Sequence, residues 1–258
     1  MSQLFSVDRL LAQLRATDLA EFHVKTVDYV ETVGDCTVKV RIGKSAYAVK
    51  SHRSQALQVS SHWESEFAFA KAGFAPAPLN VATTDFFLIL PWCEPECPSD
   101  VPVVAGLLSK IHQSEISLST VRTPESIFSK LSQHRILEGK RWKELLGKPV
   151  PTSPIHGDAH LGNFLNLASG PVSLDQEFAS MGDPAWDFAY LFATHSVPVQ
   201  SQKEIRSRHP HFDWERCLMW QPLCCLLWQI WEEEKGRVGD VWERKYRRSL
   251  EWWDQYHR

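Results

Sequence analysis

An α+β fold of two lobes, an antiparallel sheet with one helix followed by a mainly α-helical half, is predicted by three observations. First, the runs FHVKTVDYVE, DCTVKVRI and AYAVKSH alternate apolar and polar residues and are separated by Gly34-Asp35 and Gly43-Lys44-Ser45, as in an antiparallel meander. Second, from Val101 onward apolar residues recur at helical spacing. Third, short apolar runs at Ser153 to His156, Phe164 to Leu167 and Val172 to Asp175 flank two polar loops inside that helical region. With 258 residues, 43% of them hydrophobic, the chain can build one large domain or two lobes with a shared cleft. The lobes are expected at residues 1–92 and 93–258.

The elements follow in order. The opening MSQLFSVDRLLAQLRATDLAE carries Asp8, Arg9 and Arg15 through what would have to be the apolar core of a signal peptide, so it reads as an amphipathic helix. After the meander, Leu57 to Ala72 has a helical pattern. A Pro-bounded loop, a strand pair turning near Thr84-Asp85 and a Pro-rich exit then lead to helices over about 101–115 and 124–147, the second with a break near Gly139. Three or more helices are expected after Pro184, which suits a first helical turn, with Asp183 as the N-cap before it.

Composition excludes several function classes. A formal charge of −3 offers no basic footprint for a phosphate backbone, so neither nucleic acid nor an anionic membrane is an expected partner. The most apolar stretch, Leu218 to Trp231, is too short for a membrane span and is interrupted by Gln221, Pro222 and Gln229. A cytoplasmic protein is expected. The six cysteines form no C-x-x-C pair and read as buried thiols.

The chemistry concentrates in PIHGDAHLGNFLNLASGPVSLDQEFASMGDPAWDFAYLF, residues 154–192. Asp158 is followed five residues later by Asn163, and an apolar strand then ends in Asp175. Phosphoryl transfer to a hydroxyl needs one carboxylate at the acceptor, and an amide oxygen with a second carboxylate to hold Mg²⁺ against the nucleotide phosphates. Asp158, Asn163 and Asp175 fill those roles, with the Asp-to-Asn spacing of the protein-kinase loop H-R-D-x-x-x-x-N and Gly157 in place of its Arg. Lys50, in Ala-Val-Lys at the end of the third strand, stands where a kinase lysine meets the α- and β-phosphates. A zinc reading of His156, Asp158 and His160 lacks a companion cluster of ligands and leaves Asn163 and Asp175 unexplained.

The run H-G-D-x-H-x-x-N, followed by hydrophobic-D-x-E and G-D-P-x-x-D, resembles the aminoglycoside phosphotransferase and choline kinase superfamily of small-molecule kinases. The resemblance implies a bilobal protein-kinase-like fold and the use of ATP and Mg²⁺. It makes Asp158 the catalytic base and Asn163 and Asp175 the metal ligands, with His156 structural and Asp187 supporting the catalytic loop. On the nucleotide side it implies phosphate contacts at Lys50 and the Gly34 turn, adenine contacts at Leu90 to Cys93, and Trp92 either walling the pocket or packing between the lobes. The partner of Lys50 is Glu64 or Glu66, with spacing to Gly73 slightly favouring Glu64.

The acceptor side is read from tryptophan. The chain has 11, concentrated in its last third, and most serve as core by the usual behaviour of aromatics. DQEFASMGDPAWDFAYL and CLLWQIWEEEKG resemble the choline kinase branch, which makes Glu177, Trp228 and Trp231, and after them Trp186, candidates for the side of the pocket that meets an ammonium group. Gln176 stands where that branch carries an aromatic residue, a departure read as a mark of altered acceptor specificity. The leading expectation is a kinase of a small cationic alcohol such as choline, thiamine or ethanolamine. An aminoglycoside kinase and a catalytically silent kinase-like binding module are the alternatives.

Overall fold

A computed structural model describes residues 29–33, 37–51, 59–82, 87–124, 126–127, 148–149, 152–237 and 239–256. The expected first helix, the Gly34 turn, the Thr84-Asp85 turn and nearly all of the expected 124–147 helix lie outside the described residues.

The meander forms β1 (Tyr29–Thr32), β2 (Thr37–Ile42) and β3 (Ser45–Ser51), followed by α1 (Val59–Lys71), β4 (Asn80–Ala82) and β5 (Phe87–Pro91). All five strands join one antiparallel sheet in the order β1-β2-β3-β5-β4. Side chains alternate across a strand, so register sorts them by face. Lys50 lies opposite Thr37 on β2 and Leu88 on β5, and Ala48 lies opposite Lys39 and Leu90. The other face buries Val38, Val40, Ile42, Tyr47, Val49 and Ile89.

The helical half begins with α2 (Val101–His112), capped by Asp100, whose carboxylate accepts from the Val103 N–H at 2.8 Å. Two short antiparallel pairs then frame the polar loops. β6 (Ser153–Ile155) pairs with β9 (Ser180–Gly182), and β7 (Phe164–Leu167) with β8 (Gly170–Ser173). Four helices follow: α3 (Pro184–Thr194), α4 (Val199–Arg208), α5 (Trp214–Glu234) and α6 (Val241–Tyr256). α5 is buried on nearly every side from Trp214 to Leu226, packed between α3 and α6, as expected of a helix that is apolar all round. Among the described residues no helix is long and apolar enough to cross a membrane.

One buried ionic knot fixes the start of α3. Asp183 caps it by accepting from the Ala185 N–H at 3.0 Å, and its other oxygen accepts from Arg216 Nε at 2.7 Å and Trp220 Nε1 at 2.8 Å, both on α5. The helix carrying Asp187 is thereby oriented against the core before it reaches the site. α1 ties the sheet to the helical half. Phe74, just past its end, accepts from the N–H and hydroxyl of Ser173 on β8 at 2.7 and 3.0 Å.

Candidate active site

The loop after β6 has a backbone that only glycine supplies. Gly157 has φ +84°, and a Cβ there would lie 2.2 Å from the Phe178 carbonyl oxygen. The loop is gripped from four directions. Asp187, fully buried on α3, accepts from the His156 and Gly157 N–H groups at 2.8 Å each. The Gly157 carbonyl accepts from Trp186 Nε1 at 3.0 Å and from Arg122 at 2.9 Å, while the second terminal nitrogen of Arg122 donates to Phe178 O at 3.1 Å. His156 bonds Leu174 O through Nε2 at 2.8 Å and faces the Asp158 N–H with Nδ1 at 3.3 Å. The ring therefore carries its hydrogen on Nε2 and joins the loop of Asp158 to the strand that leads to Asp175.

Asp158 is held in turn. Asn163, in a 3-10 turn at Leu161–Asn163, donates through Nδ2 to the Asp158 carbonyl at 3.0 Å and to its carboxylate at 2.9 Å. Burial, followed by the charge of nearby Asp158, pushes the Tyr190 phenol well above its ordinary pKa. His160 Nε2 lies 3.6 Å from Asp158 Oδ2, and burial holds this imidazole below its ordinary value. One face of α3 thus addresses the loop: Asp187 binds residues 156 and 157, Trp186 binds 157, and Tyr190, one turn on, lies near enough to Asp158 to feel its charge.

Asp175 occupies a left-handed backbone conformation at φ 60°, ψ 60°, uncommon for a residue other than glycine and tolerated best by Asp and Asn. There its carboxylate meets Lys50 Nζ at 2.8 Å, and Lys50 also meets Glu66 on α1 at 2.9 Å. Burial by itself would lower the lysine pKa. The two carboxylates outweigh it and raise the ammonium above the ordinary lysine range, while Lys50 holds Asp175 below the ordinary aspartate range against its own burial. The slight preference for Glu64 is corrected: Lys50 pairs with Glu66, which is 3% exposed. Two residues apart on a helix, the glutamates face different directions, and Glu64 points to Ser119, accepting from its N–H and hydroxyl.

This arrangement fits a magnesium ion. Because Asn163 commits its Nδ2 to Asp158, its amide oxygen remains for a cation, beside the depressed-pKa carboxylate of Asp175. Mg²⁺ takes one or two protein oxygens and completes its shell with phosphate and water. Among the described residues no group of three or more His, Cys, Asp or Glu converges to hold a metal by itself, which leaves the zinc reading without support. Of the residues expected to meet the nucleotide, Leu90 is buried on the same face as Lys50. Trp92 continues the ladder by donating its N–H to Ala46 O at 3.0 Å; its indole N–H donates to Glu94, and Lys39 Nζ lies 4.1 Å from the ring centroid.

Of the residues expected on the acceptor side, Trp228 and Trp231 meet edge to face at 5.1 Å, and Trp228 also contacts Trp242, Tyr190 and His160. His160 links this aromatic group to Asp158. The outer ring, Trp231, is covered by the cations of Lys235 at 5.0 Å and Arg237 at 4.8 Å. Glu177 is exposed in the 3-10 turn after Asp175. Two readings change. Trp186 is 2% exposed and braces Gly157 instead of facing a pocket. Gln176 is fully buried and donates to Ser173 Oγ at 2.9 Å, so the departure from an aromatic falls in the packing beneath the loop. Tyr190, Arg122 and His112 were not singled out from sequence. Only Tyr190 carried a signal there, its place one turn after Asp187.

The phosphotransferase enzyme family model matches residues 35–220. The chain belongs to the phosphotransferase enzyme family. Thiamine kinase from Shigella sonnei (strain Ss046) is 31% identical to this phosphotransferase-family chain over 98 residues, which span 36% of each protein. Among solved structures, choline kinase LicA from Streptococcus pneumoniae superposes with a TM-score of 0.76 at 18% identity, covering 97% of this chain and 100% of that one. LicA has also been solved in complex with AMP. The macrolide 2'-phosphotransferase MphH from Brachybacterium faecium gives 0.61 at 16% identity, covering 93% and 97%. At such identities the structural likeness speaks for the protein-kinase-like fold of this family member.

Proposed function

We propose that this family member is an ATP- and Mg²⁺-dependent kinase that phosphorylates the hydroxyl of a small cationic alcohol of the choline, thiamine or ethanolamine kind. The observation that carries the reading is the convergence of Lys50, Glu66 and Asp175 beside Asp158 and Asn163. Asp158 orients the acceptor hydroxyl and takes its proton, with Asn163 fixing the carboxylate. Lys50, braced by Glu66, neutralises phosphate charge, and Asn163 and Asp175 would hold the magnesium that supplies further charge neutralisation. Leu90 to Cys93 and Trp92 would form the adenine side and the Gly34 turn the phosphate side. Glu177, Trp228 and Trp231 would meet the ammonium, where each ring face contributes about 0.5 to 2 kcal/mol.

The cationic acceptor is favoured by the aromatic group that reaches Asp158 through His160, and by thiamine kinase and choline kinase among the relatives. An aminoglycoside acceptor would call on Glu232, Glu233 and Glu234, but Arg237 already pairs with Glu232 at 3.3 Å. The test is Mg²⁺-ATP consumption by the purified protein against choline, ethanolamine, thiamine and kanamycin, with mass spectrometry of the products. Phosphocholine, phosphoethanolamine or thiamine phosphate supports the reading. Phosphorylated kanamycin alone moves the protein to the aminoglycoside alternative, and nucleotide binding without any product favours the silent module.

A further inference from the structure

A second polar cluster lies behind the catalytic loop, on the far side of Asp187. His112, at the end of α2, meets Asp187 Oδ2 through Nε2 at 2.9 Å. Its Nδ1 lies 3.2 Å from His211 Nε2, His211 Nδ1 lies 3.2 Å from Ser109 Oγ, and Ser109 Oγ lies 3.1 Å from His209 Nδ1. Gln113 also donates to Ser109 Oγ, at 3.3 Å. Phe188 packs against all three imidazoles, with ring centroids 5.5, 5.7 and 6.4 Å away, and is itself fully buried. The proposed chemistry uses none of these groups.

Counting donors orders the chain. A serine hydroxyl has one hydrogen and two lone pairs. With Gln113 donating into Ser109 Oγ, and His209 donating as well in the tautomer that the acceptor-only Asp187 end of the chain selects, the serine hydrogen goes to His211 Nδ1. His211 then carries its hydrogen on Nε2 and donates to His112 Nδ1, which leaves His112 its own hydrogen on Nε2. That hydrogen faces the Asp187 carboxylate, which only accepts. Every link has one donor and one acceptor with all three imidazoles neutral. Reversing the direction would require a second proton on His112. Burial, then the neighbouring His112 and His209, holds His211 down to about 4, and burial, then Arg208, lowers His209.

We propose that His112 and His211 are positioning residues for phosphoryl transfer: a one-directional hydrogen-bond chain from His209 through Ser109, His211 and His112 holds Asp187 in the orientation that grips both catalytic-loop amides. The kinetic part rests on the reading of Asp158 as the base. The geometric part does not.

Two measurements decide it. Nitrogen-15 NMR of the full chain with labelled histidine, at pH 7, is expected to find His112 and His211 neutral with hydrogen on Nε2. A doubly protonated His112, or hydrogen on Nδ1 of His211, overturns the chain whether or not the protein turns over any acceptor. In steady-state assays with Mg²⁺-ATP and the acceptor the panel identifies, His112→Leu is expected to lower kcat about 10- to 100-fold with the nucleotide KM unchanged, since small misplacements of reacting groups cost that much. His112→Gln places an amide N–H near Nε2 and is expected to recover most of that loss. Wild-type kcat in His112→Leu, or glutamine no better than leucine, overturns the proposal. Should His112→Leu fail to fold, the less buried His211 replaces it: His211→Leu must lower kcat at unchanged thermal stability, and unchanged kcat there counts against the proposal equally.

Discussion

Gly157→Ala is the most sharply posed perturbation of the site. The new Cβ would stand 2.2 Å from Phe178 O, 2.8 Å from Phe178 C and 3.1 Å from an Arg122 terminal nitrogen. The nearest obstacle is backbone, more than an ångström inside the 3.4 Å at which ordinary contact begins, so no side-chain rotation relieves it. The φ of +84° adds a penalty of about 1–2 kcal/mol for any L side chain. Moving Phe178 away also strains the Arg122 bridge between the two loops and shifts the turn that follows Asp175. With the overlap only partly relaxed, the total is about 3 kcal/mol, within the range of strain at a special backbone position. For a chain of this size that lowers Tm by roughly 6–12 °C. Differential scanning calorimetry reads the stability, and single-turnover phosphoryl transfer at 15 °C, where the variant stays folded, reads the site. A loss of about 100-fold in the transfer step is expected. A variant with wild-type Tm and wild-type rate would refute the argument that this backbone fixes Asp158.

Three further outcomes follow from the same geometry. Glu66→Gln is expected to weaken nucleotide binding and lower kcat/KM by about tenfold or more, while Glu64→Gln changes it less than twofold, because of the two glutamates it is Glu66 that braces Lys50; isothermal titration with ATP beside steady-state rates separates the two. Asp183→Ala removes the carboxylate from a 2%-exposed Arg216 and from Trp220, and should cost about 3–5 kcal/mol in a urea melt. The Lys50–Asp175 pair predicts a signed pH effect. Asp175 is held below its ordinary pKa, so its contribution is fully present above the unfolded aspartate value of about 3.9 and disappears as pH falls through the folded value. Asp175→Asn should flatten the acid side of the stability profile between about pH 5 and pH 2 relative to wild type, and an unchanged slope there would count against the pair.

Much of this site could be read in the chain because its parts are local. Asp158 and Asn163 share one loop and turn, Asp175 ends the adjoining hairpin, and the spacing of each motif sets its geometry almost by itself. The sheet was equally legible, since period-two alternation and Gly-centred turns mark its strands and place Lys50. What escaped depends on contacts across long stretches of chain. Choosing Glu66 over Glu64 requires the rotation of α1 about its own axis against the sheet, a tertiary quantity that spacing to Gly73 does not encode. Arg122 reaches Gly157 from 35 residues away and His112 reaches Asp187 from 75, with nothing in their own neighbourhoods to mark them. Trp186 and Gln176 were misread for a related reason: both sit inside functional motifs, yet each points into packing, one under Gly157 and the other against Ser173. A motif identifies a segment, and only the fold says which side of that segment meets the ligand.

On the proposed function, Asp158 is the base in a phosphoryl transfer fed by the Lys50 and Asp175 side of the site. The most direct measurement is the single-turnover rate of Asp158→Asn against wild type, with the acceptor found in the panel, beside ATP affinity by titration. A loss of about 10²- to 10⁴-fold in the transfer step at unchanged ATP affinity is predicted, the usual contribution of general base catalysis. Transfer at the wild-type rate by the asparagine variant would contradict the account.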